Sequence, residues 1–147
     1  MLGHITNTSL MTLFKADRPV LGLIYTLTVK VLGNDPFLWQ LFAIALRIFT
    51  GFALYTILIQ LWPKQKVPVT MMSALFVVYP GFMQQPIALT FSNHLIGLLI
   101  ALLSISANLF GLRLDKRQRV KKIIFLLAAV GMEGLYLIIY EYMIGLE

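Results

Sequence analysis

The feature that most constrains this chain is the run FLWQLFAIALRIFTGFALYTILIQL, Phe37 to Leu61, which carries a single charge, Arg47. The hydrocarbon core of a bilayer is about 30 Å thick, and about 20 predominantly apolar helical residues cross it. This run meets that length, and its ends are marked. Asn34 and Asp35 are residue types that cap free backbone N–H groups, and Pro36 suits a first helical turn. WPKQKVP closes the run, with Trp62 suited to the interface and Lys64 and Lys66 suited to headgroups.

Three more apolar runs follow. The spacing predicts spans at about 37–61, 67–83, 95–112 and 123–144, so residues 37–147 read as a transmembrane bundle. Pro80, Gly81 and Pro86 make the end of the second run irregular, and the run extends to Leu89 if they are bridged. The fold class expected is all-α, an integral membrane helical bundle with about four transmembrane helices and one N-terminal outer interfacial helix. Composition agrees: 59% of residues are hydrophobic and 12% charged, against about 45–50% and about 25% in soluble domains. The start, MLGHITNTSLMTLF, lacks the basic region, apolar core and cleavage site of a secretory signal. The chain has no cysteine, which excludes a disulfide framework, a thiol nucleophile and a cysteine metal site.

The net charge of +6 is unevenly placed. Half of the Lys and Arg residues fall between Arg113 and Lys122, between two membrane-length runs. Such a cluster reads as an orientation signal in contact with membrane lipids, and nucleic acid is not the expected partner. With three crossings from Phe37 to Leu112, loops 62–66 and 111–122 lie on the same side, so both basic loops are expected in the cytoplasm and residues 1–36 outside. The location expected is multi-pass, in a bacterial plasma membrane. DKRQRVKK either sets topology alone or also recognises anionic lipid.

Residues 1–36 form the expected outer loop, with an amphipathic interfacial helix at about 20–32. As a helix that segment is about 20 Å long, too short to span. Gly22, Thr26, Lys30 and Gly33 fall on one narrow helical stripe. Thr26, Thr28 and Lys30 also alternate with Leu27, Val29 and Val31 as in a strand. Helix is preferred because an isolated strand near lipid leaves its edges unsatisfied.

Charges inside spans are costly and normally face protein or water. Arg47 shares a stripe with Gln40, Ala43, Thr50 and Gly51, and the third span carries His94, Gly97, Ala101, Ser104 and Asn108. Small and polar stripes of this kind suit close helix packing. Arg47 and Glu133 form a candidate structural intramembrane pair. Other roles are a buried anionic ligand at Arg47, a relay at Glu133, or Arg47 bonded to backbone carbonyls. Ser92 or Asn93 is expected to cap the third span, with His94 either interfacial or part of a site. Gln84 and Gln85, in YPGFMQQP, either sit in a plain membrane-edge turn or line a cleft. His4 and His94 are the only histidines and no metal motif occurs, so no zinc site is expected.

The order of these features resembles a known family. DRPVLGLIYTLTVKVLGNDPFLWQLFAIALRIF is similar to the outer-loop stretch and following span of polytopic GT-C-type glycosyltransferases, nearest the protein O-mannosyltransferase-like branch. There an Arg-Pro pair opens a short surface helix that ends in a Gly-x-x-Pro turn before a long span. The counterparts are Arg18-Pro19, Val20–Leu32 and Gly33-Asn34-Asp35-Pro36. YPGFMQQPIALTFSNH and EYMIGLE look like segments of bacterial multi-span proteins of this kind.

The resemblance implies sugar transfer from a polyprenyl-phosphate donor at the outer face, with an acidic residue as base and, by resemblance only, a divalent cation. Arg18, Arg47, Gln84, Gln85 and His94 are the candidates for holding substrate. The family's acid precedes the Arg-Pro pair, and Asp17 is the only acid in residues 1–19. Asp17 is a weak candidate for that acid, better accounted for by local pairing with Lys15 or Arg18 or by capping the surface helix. The expectation is an incomplete glycosyltransferase-like protein that lacks its catalytic acid and is inactive alone. The alternative is a non-catalytic membrane scaffold or assembly partner working with other membrane chains.

Overall fold

The computed structural model describes residues 19–79 and 88–139. Five α-helices make up the described chain: α1 (Pro19–Leu32), α2 (Pro36–Leu61), α3 (Lys66–Val78), α4 (Ala88–Arg113) and α5 (Arg119–Ile139). A 3₁₀ turn, Lys116–Gln118, leads into α5.

The segment that could read as helix or strand is a helix. Thr26 and Thr28 donate their hydroxyls back to Gly22 O and to Ile24 O and Tyr25 O, so the threonines need no strand partner. Gly33 ends α1 with φ +64°. Its N–H donates to Val29 O at 2.8 Å, the single-bond left-handed cap that glycine adopts without strain. The expected polar stripe does not act as one face. Gly22 and Tyr25 are buried, whereas Lys30 is exposed beside exposed Leu23, Leu27 and Val31.

α2 starts where its sequence signals put it. Asp35 caps it by accepting from Phe37 N at 2.9 Å, and Pro36 opens the first turn. The Trp39 indole N–H donates to Gly33 O at 3.0 Å, which ties the start of α2 to the end of α1.

α4 is the centre of the bundle. α2 and α5 each pack against it, α3 packs on α2, and α1 touches α4 and α5. α2 and α4 run parallel, since Thr56 and Gln60 meet Ser106 and Arg113 reaches Gln60 O. α5 runs antiparallel to α4, with Ser104 on Ala129 O and Gly111 on Phe125 and Leu126. The buried side of α2 is Trp39, Leu46, Thr50, Ala53 and Ile57. Large apolar residues on its other sides, such as Phe37, Phe49 and Phe52, stay exposed. Two of the buried hydroxyls are satisfied within their own helices: Thr50 donates to Leu46 O and Ser73 to Val69 O.

Three helices are long and apolar enough to cross a membrane: Pro36–Leu61, Phe91–Arg113 and Arg119–Ile139. Among the described residues these correspond to the first, third and fourth expected spans; the second, 67–83, runs beyond the described residues. In the described part of the second expected span, 67–83, the helix covers Lys66–Val78, 13 residues or about 20 Å, and residues 80–83 lie outside the described residues. The helix ends at Val78 because Pro80 disfavours helical backbone at the residue before it; Tyr79 accordingly stands at φ −53°, ψ 124°. The third span begins earlier than Leu95. Ser92 lies inside α4 and donates to Ala88 O at 2.6 Å, so neither it nor Asn93 is the expected cap.

Candidate functional site

The stripes read from sequence are buried only in part. In α2, Thr50 and Gly51 are buried, Ala43 and Arg47 are half-buried and Gln40 is exposed. In α4, Gly97 and Ser104 are buried, Ala101 is half-buried, and His94 and Asn108 are exposed. Two helices that cross touch closely near one point, so the small residues there carry the contact. Gly51 is that point for α2 and α3: a Cβ there would collide with the Val77 side chain. Gly111 is the counterpart for α4 and α5, where a Cβ would lie 3.2 Å from Phe125 Cβ. The Phe110 and Phe125 rings meet beside it at a tilt of 53°, centroids 4.9 Å apart. Ser104 crosses the same interface by donating to Ala129 O at 2.9 Å.

A polar cluster that the stripes did not predict joins α2 to α4. Thr56 and Ser106 hydroxyls lie 3.0 Å apart, and the Gln60 amide donates to Thr56 O at 2.9 Å and to Ser106 Oγ at 3.1 Å. One signal for it was present: Thr56 and Gln60 are i and i+4 on one helix face. Gln60 Oε1 is buried without a hydrogen-bond partner. Arg113 donates from Nη2 to Gln60 O, in the last turn of α2. The C-terminal ends of α2 and α4 therefore stand together, and the cation meets a carbonyl that the helix itself leaves free.

Arg47 is half-buried in α2. It lies one turn before Gly51, which faces Val77, the penultimate residue of α3. Arg47 is thus level with the end of α3. The structure does not bring Arg47 and Glu133 together. Glu133 is exposed on α5, and α4 stands between α2 and α5. His94 is exposed on α4, its ring 6.0 Å from that of Phe91. Asp17, Arg18, Gln84 and Gln85 lie outside the described residues. No group of three or more metal-ligating His, Asp or Glu side chains occurs among the described residues.

An open cleft of about 440 Å³ lies between α2 and α3, lined by Leu54, Leu58, Met72, Leu75, Phe76 and Tyr79. Its walls are apolar but for the Tyr79 phenol, so it offers shape and grease rather than reactive groups.

At the other extreme of polarity, the 62–65 turn and the 114–118 turn share one end of the bundle. Lys64, Lys66, Arg117, Arg119 and Lys121 are exposed there.

Long apolar helices, apolar outer faces and internally satisfied hydroxyls define the class: this is a multi-pass helical membrane protein. No protein-family model, curated protein or solved structure matches the chain.

Proposed function

We propose that the chain is a non-catalytic membrane assembly unit, a scaffold whose intramembrane polar and small residues hold helices together. One observation carries this reading. Ser104, Ser106, Thr56, Gln60, Gly51 and Gly111 all serve helix contacts. α3 adds to it. Only Val69 and Ser73 of that helix are buried, while Val67, Met71, Met72, Leu75 and Val78 face outward. Single-cysteine variants at Met71, Leu75 and Val78, in a chain that has no cysteine of its own, test it in native membranes. The expected result is crosslinking of these sites to protein. Modification at the same rate as a Phe52→Cys or Val130→Cys site, with no protein adduct, sinks the reading.

The second reading is an incomplete GT-C-type transferase acting on a polyprenyl-phosphate-linked sugar at the outer face. Its support is the resemblance over residues 17–49 and the layout of a short helix, a Gly33–Pro36 joint and a long span. Membranes carrying the chain, alone or extended upstream, are given labelled polyprenyl-phosphate sugar. Transfer by the extended form alone fits an incomplete enzyme, and transfer by neither removes it.

For either reading, the basic end faces the cytoplasm of a bacterial plasma membrane, and residues 1–36 lie outside with α1 at the interface. The support is the charge asymmetry between the two ends. A cysteine placed at Lys116 should resist an impermeant outside label, and one at Thr8 should react; the reverse pattern inverts the topology.

A further inference from the structure

We propose that the shared end of α2, α4 and α5 is a composite binding surface for anionic phospholipid headgroups. It is built from two loops that are distant in sequence. Lys64, Lys66, Arg113, Lys116, Arg117, Arg119, Lys121 and Lys122 all belong to this end, and they are eight of the chain's 12 Lys and Arg residues. Asp115 is its only acid.

The parallel pairing of α2 and α4 brings the loops together. Arg113 spends its Nη2 on Gln60 O and so locks one loop against the other. Lys64, Lys66, Arg117, Arg119 and Lys121 remain exposed around that lock.

The neighbours of these cations select a lipid rather than a soluble acidic protein. Trp62 is 48% exposed, Leu112 60%, Val120 72% and Ile123 56%. Cations and exposed large apolar side chains therefore share this end, which continues into the apolar sides of the spanning helices. A bilayer surface offers both phosphate and hydrocarbon within a few ångströms. A soluble acidic partner would leave the apolar side chains uncovered. Each basic side chain near an anionic surface adds attraction that falls with salt.

The test uses the full chain reconstituted in phosphatidylcholine bilayers with spin-labelled lipids of matched acyl chains. Motional restriction of labelled phosphatidylglycerol and labelled phosphatidylcholine is compared. At about 0.1 M salt the expected preference for the anionic lipid is at least about threefold. Neutralising either loop alone, by K64Q with K66Q or by R117Q with R119Q and K121Q, should remove most of that preference. Helicity by circular dichroism should stay unchanged, because none of these residues makes the α2–α4 lock.

Equal restriction of the two lipids overturns the proposal. Loss with one loop's variants but not the other's overturns its composite character. Displacement of the labelled lipid by inorganic phosphate at matched ionic strength would assign the surface to a free anion instead. Displacement by soluble polyglutamate, again at matched ionic strength, would assign it to an acidic protein.

Discussion

α3 and α4 are both apolar helices that pack on α2, yet they end up in opposite situations. α4 has α2 on one side and α5 on the other, and it runs for 26 residues. α3 has α2 alone among the long helices and stops after 13 residues. Both contacts with α2 use small or polar residues, but of different kinds. The α4 contact is a hydrogen-bonded cluster around Ser106, and the α3 contact is a steric fit of Gly51 to Val77. Hydrophobicity alone therefore does not tell a central helix from a peripheral one; the residues at the crossing point do.

Substitutions at those two crossing points sharpen the contrast. The largest effect is expected at Gly51→Ala, where the new methyl collides with Val77. Overpacking of this kind costs about 1–3 kcal/mol. Unfolding in mixed micelles reads it, and adding Val77→Ala should recover much of the loss. Gly131→Ala is the matching control, because a Cβ there meets open space. It should be neutral or stabilise by up to about 1 kcal/mol through helix propensity.

Next comes Ser104→Ala, which removes the bond to Ala129 O and should cost about 1 kcal/mol of α4–α5 association. Ser106→Ala should cost about 0.6 kcal/mol in the same assay, since Thr56 and Gln60 keep bonds within α2. The smallest effect is expected at Met71→Ala on the outer side of α3, below about 0.5 kcal/mol in micelles. A large effect at Met71 in micelles would mean that α3 has a further neighbour within the chain.

Much of the architecture is legible in the residues. The Asn34-Asp35-Pro36 signal places the start of α2 correctly because each residue acts locally, by cap and ring. The end of α3 was legible too, in Pro80, but the apolar run through Met83 outweighs it if hydrophobicity is counted first. The start of α4 is hidden for the opposite reason. Ser92 and Asn93 look like caps, but a serine can satisfy its hydroxyl on the carbonyl four residues back and remain helical.

Partners across helices are the least legible. Arg47 and Glu133 are the obvious opposite charges of the spans, and nothing in the sequence says that α4 comes between their helices. The Thr56–Ser106–Gln60 cluster is the converse: three modest side chains become partners only because α2 and α4 are parallel.

The Arg113–Gln60 contact also imposes an order on assembly. Its partners are 53 residues apart, and the Thr56–Ser106 pair is separated by 50. A nascent chain that has inserted α2 and α3 still lacks the residues that finish the far end of α2. Until α4 arrives, the outer side of Thr56 and the last carbonyls of α2 must be met by lipid headgroups, water or the insertion machinery. The interval between insertion of α3 and of α4 is then a stage at which this protein depends on help, and arrest before residue 106 should leave α2 open to capture by membrane quality control.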